Sequence, residues 1–196
     1  MENKPVFGLI LAGGKSRRLG SDKALLLRDG RSQLAHIADL LTDCVDEVFV
    51  STRADQADDS ERGQFRQIVD RYTDIGPVAG IMSALESRPD ADWLVVACDL
   101  PNVSPETLQY LLDHRDGDQP FTAYVSSYDG LPEPLCALYH AGCGAIIKQF
   151  VDEGIHCPRK ILIRSKTRLL EQPDPRSLDN VNTPDDLKNS ILKVRQ

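Results

Sequence analysis

The sequence predicts an α/β protein with a mostly parallel sheet and helices on both faces. Short apolar runs rich in β-branched residues alternate along the chain with segments whose apolar residues follow a helical period. The first apolar run, Val6–Leu11, ends just before Gly13-Gly14, as a buried strand does where it enters a turn. Alternation of this kind is typical of parallel sheets covered by helices on each side. We therefore expect a Rossmann-like sheet.

Seven strands and five helices follow from these patterns. The predicted strands are Val6–Leu11, Glu47–Thr52, Arg66–Val69, Trp93–Cys98, Phe121–Ser126, Pro134–Tyr139 and Ile161–Arg164. The predicted helices are Gln33–Leu41, Val78–Ser87, Pro105–His114, Gly144–Asp152 and Pro184–Leu192. Ser104 and Thr183 each precede a proline, which favours a capped helix start. No linker or repeat divides the chain, so we expect residues 1–196 to form one domain.

Composition excludes several classes of protein. The formal net charge of -7 disfavours nucleic acid as a partner, because phosphate neutralisation needs a broad basic face. No apolar stretch reaches the ~18 residues of a membrane span, and the N-terminal residues do not resemble a signal peptide. The five cysteines include no C-x-x-C pair, which disfavours a zinc site or a disulfide framework. We expect a cytoplasmic protein that does not contact membranes.

A cluster of positive charge follows the Gly13-Gly14 pair. Four cations occur within nine residues of an otherwise acidic chain: Lys15, Arg17, Arg18 and Lys23. Glycines let backbone N–H groups approach a ligand, and clustered cations supply a local positive field. The glycines alone favour an ordinary strand-to-helix turn with a solvated rim, and a solvated rim is how we interpret Lys15 and Arg17. With Arg18 and Lys23 added, the pattern favours a polyphosphate, and hence a nucleotide.

Two better-known glycine motifs do not account for this loop. A Walker loop requires a glycine where Leu9 stands, and the dinucleotide-binding motif requires a spacing that Gly13, Gly14 and Gly20 do not have.

Asp99 follows the fourth predicted strand, and it is a candidate metal ligand. If that strand lies beside the first, Asp99 and the glycine loop face one crevice beyond the carboxyl ends of the strands. Mg²⁺ typically takes one or two carboxylates together with phosphate oxygens. A turn carboxylate ahead of Leu100-Pro101 is the alternative interpretation. With a metal at Asp99, the Lys23 ammonium and Arg18 would neutralise charge on the transferring phosphate as catalytic residues.

Five segments in order along the chain carry a family resemblance. They are LAGGKSRRLGSDKALL (residues 11–26), DIGPVAGI (74–81), VVACDLP (95–101), EPLCALY (133–139) and NVNTPDDL (180–187). Together they resemble the motifs of the MobA-like nucleotidyltransferases. The resemblance implies a fold of the nucleotide-diphospho-sugar transferase type. The nucleotide contacts that it implies are Leu11, Ala12, Gly13, Gly14, Lys23, Asp70 and Asp99, with Mg²⁺ at Asp99.

The resemblance also implies a reaction. Residues 1–196 would be a nucleotidyltransferase domain that transfers GMP from GTP to the phosphate of a molybdopterin-type cofactor and releases pyrophosphate. Its partners would be GTP or another nucleoside triphosphate, a phosphorylated small-molecule acceptor and molybdenum-cofactor insertion proteins. A cytidylyltransferase for the same cofactor, a sugar- or polyol-phosphate nucleotidyltransferase and a regulatory protein of the same fold are alternatives. The loop reads LAGG at residues 11–14, which favours the guanylyl pattern, because the loop of cytidylyl relatives usually reads LAAG.

Further candidates near the base or acceptor are Gly76, Pro77, Gly80, Asn180 and Asn182. The first three begin a helix whose positive end would face a phosphate or base, although helix packing explains Gly80 equally well. The two asparagines lie two residues apart and would share one face of an extended segment, although they could simply form turns. Ser51-Thr52 stands where guanylyltransferases tend to carry asparagine. The polar stretch from Arg53 to Gly63 is expected to be a solvated, mobile surface excursion.

Overall fold

The computed structural model describes residues 4–14, 19–115 and 117–194, and a seven-stranded sheet runs through them. The sheet strands are β1 (Val6–Leu11), β4 (Glu47–Thr52), β5 (Arg66–Val69), β6 (Asp92–Ala97), β7 (Phe121–Val125), β8 (Pro132–Tyr139) and β9 (Thr167–Leu170), in the spatial order β5-β4-β1-β6-β8-β7-β9. Only β8 among them runs antiparallel to its neighbours. A small hairpin, β2 (Leu27–Arg28) and β3 (Arg31–Ser32), lies apart from this sheet. The predicted mostly parallel sheet is confirmed.

Helices cover both faces of the sheet, as predicted. They are α1 (Gln33–Thr42), α2 (Pro77–Ser87), α3 (Pro105–Asp113), α4 (Gly144–Asp152), α5 (Pro158–Arg164) and α6 (Pro184–Lys188). Successive side chains of a strand point to opposite faces, and in β1 Ile10 packs in the core under α1 and α3 while Leu9 packs in the core under α2, α4 and α5. Both side chains are fully buried, which is why the run in β1 is continuously apolar rather than alternating.

One predicted strand is wrong. Ile161–Arg164 is the second half of helix α5, and the last strand of the sheet is β9, which pairs in parallel with β7. A four-residue apolar run does not distinguish a buried strand from a buried helical turn. Pro158 occupies the first helical position of α5 and favours the helix, because its fixed φ suits a helix start.

The remaining predicted elements are present, with boundaries that move by a few residues. Strand β6 begins at Asp92 and ends at Ala97, so Cys98 already lies outside the strand. Helix α6 ends at Lys188 rather than Leu192, because the chain then turns back to pair Lys193 with Leu27. The predicted hydroxyl caps are confirmed: Ser104 accepts from the Thr107 amide, and Thr183 accepts from the Asp186 amide. In the part of the chain that the structure describes, no helix has the length and apolar character of a membrane span.

A buried polar cluster anchors the amino ends of the strands, opposite the edge that carries the site. Asp92 Oδ2 accepts from Arg115 Nε at 2.6 Å and lies 3.2 Å from His140 Nδ1, while Oδ1 accepts from the Ala141 amide at 2.7 Å. Burial alone would raise the pKa of Asp92. The hydrogen bonds from His140, Ala141 and Arg115 outweigh it and lower the pKa to about 2.

Asp92 makes the free energy of unfolding depend on pH. A carboxylate whose pKa drops from 3.8 to about 2 on folding stabilises the protein above pH 4 and loses that contribution as the pH falls from 3.8 toward 2. The difference corresponds to about 2 kcal/mol. We expect Asp92→Asn to lower the free energy of unfolding at pH 7 and to flatten its decline below pH 4, measured by urea titration at several pH values. Asp152→Asn, which removes an exposed ion pair with Lys148, is the control, and an equal loss there would contradict the prediction.

Candidate nucleotide-binding site

The site lies at the carboxyl ends of β1 and β6. These strands are parallel neighbours with Leu11 opposite Ala97, so Gly13 and Asp99 leave the sheet side by side. A pocket of about 990 Å³ opens there, and the size suits a nucleotide. The candidate residues that line it are Leu11, Ala12, Gly13, Gly14, Lys23, Asp70, Gly76, Pro77, Gly80, Asp99 and Asn182. The structure therefore brings together residues that are far apart along the chain.

Lys23 joins two halves of the pocket, one that carries the glycine loop and one that carries Asp99 and Asn182. Its Nζ lies 3.1 Å from Asp99 Oδ2 and donates a 2.6 Å hydrogen bond to Asn182 Oδ1, across 76 and 159 residues of sequence. The Lys23 and Asp99 side chains are only 17% and 21% exposed, so their ion pair is better shielded than one at the surface. A cation and a carboxylate in mutual contact at the strand ends form the electrostatic centre of the site.

A capped turn sets the position of Lys23. Residues Lys23–Leu25 form a single 3-10 turn, and Asp22 precedes it as the cap, with Oδ1 accepting from the Ala24 amide at 3.1 Å. Ala24 is buried in the core between the sheet and α1. The backbone under Lys23 is therefore tied to the core on one side and to a carboxylate cap on the other.

The segment that carries Asn182 is fixed against Asp99. The Val181 amide donates to the Asp99 carbonyl at 2.9 Å, and the Asn182 amide donates to Asp186 Oδ2 at 2.9 Å. The backbone hydrogen bonds from Asn182 and Thr183 lower the pKa of Asp186. The Asn182 side chain reaches Lys23 from this support.

Only one of the two asparagines predicted to lie near the base or acceptor, Asn180 and Asn182, lines the pocket. Asn180, unlike Asn182, is not among the described residues that line the pocket. The segment belongs to no strand of the sheet, so the two-residue spacing does not place both side chains together.

The opposite wall of the pocket contains Asp70 and Ser51. Ser51 Oγ donates to Asp70 Oδ1 at 2.7 Å. Burial raises the pKa of Asp70, against the opposing effects of the Ser51 hydrogen bond and the Arg53 charge. A Cβ on Gly13 would lie 3.3 Å from Asp70 Oδ2, so glycine lets the loop and this carboxylate approach closely.

Gly80 serves helix packing at the same wall. A Cβ on Gly80 would lie 2.1 Å from Ser51 Oγ and 3.1 Å from Leu11 Cδ2, so α2 sits against β1 and β4 only because this position has no side chain. The packing interpretation of Gly80 therefore holds, and the residue also lines the pocket. Gly76, with a φ of 63°, precedes α2 as its cap and Pro77 is the first helical residue, and both line the pocket.

Sequence reasoning missed two arginines. The Arg53–Gly63 stretch was expected to be solvated, but Arg62 is 1% exposed and donates to the Ala12 carbonyl at 2.8 Å. Arg53 donates to the Gly13 carbonyl and pairs with Asp55. The stretch follows the carboxyl end of β4, beside the end of β1, and that position in the topology was the available signal. Apart from short turns at Ala54–Gln56 and Arg62–Gln64 it has no regular structure.

The donor set at Asp99 fits a divalent cation that is shared with a ligand. The described residues contain no group of three or more His, Cys, Asp or Glu side chains arranged to hold a metal by themselves. Asp99 lies in the pocket with its carboxylate partly exposed. Mg²⁺ is commonly bound by one or two carboxylates together with phosphate oxygens, and it keeps several water ligands. Arg18, the remaining catalytic candidate, lies outside the described residues, as do Lys15 and Arg17.

The fold and the charged pocket at its strand ends define a nucleotidyltransferase. A molybdopterin-guanine dinucleotide biosynthesis protein A from Archaeoglobus fulgidus superposes with a TM-score of 0.78 at 25% identity, covering 93% of this chain and 95% of that one. A Mycobacterium tuberculosis protein crystallised with manganese has the same fold, with a TM-score of 0.67 at 20% identity over 94% of this chain and 97% of that one. The chain belongs to the MobA-like NTP transferase domain family, whose model matches residues 8–169.

Two relatives in sequence place the chain within that family. A probable molybdenum cofactor guanylyltransferase from Bacillus cereus is 37% identical over 139 residues, which are 68% of this chain and 67% of the relative. A molybdenum cofactor biosynthesis bifunctional protein from Synechocystis is 35% identical over 182 residues, which cover 93% of this chain. The chain spans about half the length of that bifunctional protein, 52%.

Proposed function

We propose that the chain is a Mg²⁺-dependent guanylyltransferase that acts on a molybdopterin-type cofactor. An oxygen of the acceptor's terminal phosphate forms a bond to the α-phosphorus of GTP, the bond between that phosphorus and the bridging oxygen to the β-phosphate breaks, and pyrophosphate leaves. The proposal treats residues 1–196 as one nucleotidyltransferase domain. The names of the Bacillus cereus and Archaeoglobus relatives support the choice of guanine nucleotide and acceptor.

The observation that carries the proposal is the contact between Lys23 and Asp99. Nucleotidyl transfer needs mainly positioning and the neutralisation of negative charge that spreads over the phosphate oxygens. The Lys23 ammonium would supply positive charge at the α-phosphate, and Asp99 would hold Mg²⁺. When bound, Mg²⁺ supplies a second positive charge to the phosphate oxygens. Gly13 and Gly14 would bring backbone N–H groups to the triphosphate without a side chain in the way.

Direct transfer agrees with the side chains of the pocket. Cys98 is the thiol nearest to Asp99 in sequence and it lines the pocket, yet burial raises its pKa well above the ordinary range of a thiol. A thiol with a raised pKa stays protonated and is a weak nucleophile. The acceptor phosphate is already an anion, so it can attack without a covalent enzyme intermediate.

Asp70 is the residue that we assign to guanine recognition. Guanine presents two adjacent N–H donors on its Watson–Crick edge, and a carboxylate can accept from both. Asp70 lies in the pocket wall and is held by Ser51, which takes the place of the asparagine usual in guanylyltransferases. Around Gly14, a side-chain Cβ would meet no described atom within 4 Å, so this part of the loop leaves room for a purine edge.

Thermal unfolding with each nucleotide tests the proposal. With Mg²⁺ present, GTP at about 100 times its dissociation constant should stabilise the protein by about 2.7 kcal/mol. For a chain of this size the midpoint should rise by roughly 5–10 °C. CTP, UTP and ATP at the same concentration should raise it much less.

Two further measurements sharpen that test. Asp70→Asn should reduce the preference for GTP, because an amide accepts at one atom and donates at the other. Transfer of label from α-labelled GTP to a molybdopterin acceptor, with release of pyrophosphate, tests the reaction itself. Selective stabilisation by CTP would exclude guanylyl transfer and favour the cytidylyl alternative.

A further inference from the structure

Arg62 is a charged side chain buried in a polar segment. It belongs to the stretch between β4 and β5, yet its side chain is 1% exposed. Its Nη2 donates to the Ala12 carbonyl at 2.8 Å and to Asp22 Oδ2 at 2.7 Å. Ala12 directly precedes Gly13, and Asp22 directly precedes Lys23. One guanidinium therefore contacts both ends of the segment that carries the glycine loop.

The contact with Asp22 leads to Lys23. While Oδ2 of Asp22 binds Arg62, its Oδ1 accepts from the Ala24 amide at 3.1 Å and caps the 3-10 turn that begins at Lys23. The orientation of this turn determines where the Lys23 side chain points. Arg62 thus binds one oxygen of the Asp22 carboxylate, and the other oxygen of the same carboxylate caps the turn.

Arg62 is itself held in place from its own segment. Its amide donates to Asp59 Oδ1 at 3.0 Å, and Nη1 lies 3.4 Å from the same oxygen. The hydrogen bond from the Arg62 amide lowers the pKa of Asp59. Next to Arg62, Glu61 accepts from Ser32 Oγ at 2.6 Å, which ties the segment to the start of α1. The guanidinium therefore approaches Ala12 and Asp22 from a fixed support.

Arginine suits this place for a geometric reason. The guanidinium offers donors in a rigid planar fork, which can contact a carbonyl and a carboxylate at once, whereas a lysine ammonium is a compact point charge. Burying a charge costs free energy, and an apolar side chain of similar volume is often no worse for stability. A role in geometry accounts for the charge better than a role in stability alone.

We propose that Arg62 is a positioning residue for nucleotidyl transfer, which holds the glycine loop and the Lys23 turn in register through Ala12 and Asp22. The inference rests on the proposed function for the reaction that it serves. The structural effect of Arg62 is independent of the proposed function, because the Lys23 turn can be observed without any substrate.

The kinetic experiment compares three variants. Arg62→Met should lower kcat for GMP transfer about 100-fold, since displacement of a reacting group by about 1 Å costs that much, while KM for GTP changes less. Arg62→Lys should recover part of the rate. Arg66→Met is the matched control, because Arg66 lies four residues further on with a side chain 70% exposed and pairs with Glu47 at the surface. It should leave kcat unchanged.

The structural experiment measures amide hydrogen exchange at Ala24, Leu25 and Leu26, whose N–H groups bond within this turn. Exchange there should accelerate in Arg62→Met and not in Arg66→Met. Unchanged exchange at these amides would overturn the inference, and so would an unchanged kcat in Arg62→Met. If Arg62→Met does not fold, Arg62→Lys and Asp22→Asn provide the same two readings, because each weakens the contact between Arg62 and Asp22 from one side.

The two proposals fail in different ways. A wild-type protein that transfers no nucleotide from any NTP would refute the proposed function, whereas faster exchange in Arg62→Met would still support the positioning of the Lys23 turn.

Discussion

Lys23→Ala is expected to lower kcat for GMP transfer about 1000-fold, with a smaller change in KM for GTP. Removing one group that stabilises developing charge in a transition state costs roughly 100- to 1000-fold, and the partly buried position of Lys23 favours the upper end. Lys23 lies at the meeting point of the two pocket halves, where its Nζ contacts Asp99 and Asn182. Initial rates with α-labelled GTP and a molybdopterin acceptor measure the effect.

Two controls distinguish this loss from general damage. Lys148→Ala removes an ammonium that is 60% exposed on α4 and pairs with the exposed Asp152, so its rate should match the wild type. Lys23→Arg keeps the charge but replaces a compact ammonium with a planar fork, and it should recover little activity. A Lys23→Ala protein with near-wild-type kcat would remove Lys23 from the catalytic assignment.

Asp99→Asn is expected to lower kcat/KM about 1000-fold and to raise the Mg²⁺ concentration needed for half-maximal rate. The substitution keeps the size of the side chain and removes the anionic charge that Mg²⁺ prefers in its ligands. It also removes the ion pair with Lys23, so the ammonium is less restrained before GTP binds. Rates measured across a Mg²⁺ titration report both effects.

The matched control for Asp99→Asn is Asp174→Asn, because Asp174 is a 55% exposed carboxylate whose contacts are with the neighbouring Arg176. Its Mg²⁺ dependence should equal that of the wild type. If Asp99→Asn shows the same Mg²⁺ dependence as the wild type, Asp99 is not the metal ligand.

Much of the fold could be predicted because the strands are strongly patterned. In β1 and β6 nearly every side chain is buried, so continuous apolar runs indicate a sheet covered on both faces. The carboxyl ends of parallel neighbours meet at one edge, so the sequence alone predicts that Gly13 lies near Asp99. Ile161–Arg164 could not be assigned correctly, because a run of that length is too short to show its period.

The arrangement of the site was only partly predictable. Lys23 and Asp99 stand out by residue type and position, but the contact of Asn182 with Lys23 depends on the hydrogen bond that fixes Val181 to Asp99. Arg62 gave no local signal, because a polar, aperiodic sequence is the same whether an arginine in it is hydrated or buried. Such long-range pairings depend on tertiary structure and not on local propensity.

The salt bridge between Lys23 and Asp99 makes each substrate component compete with the protein's own charges. A free divalent ion that reaches Asp99 must draw the carboxylate away from an ammonium, and free phosphate that reaches Lys23 must draw the ammonium away from a carboxylate. A metal–nucleotide complex satisfies both groups in one event. The resting protein should thus discriminate against bare magnesium and bare orthophosphate while it accepts the two joined in a chelate.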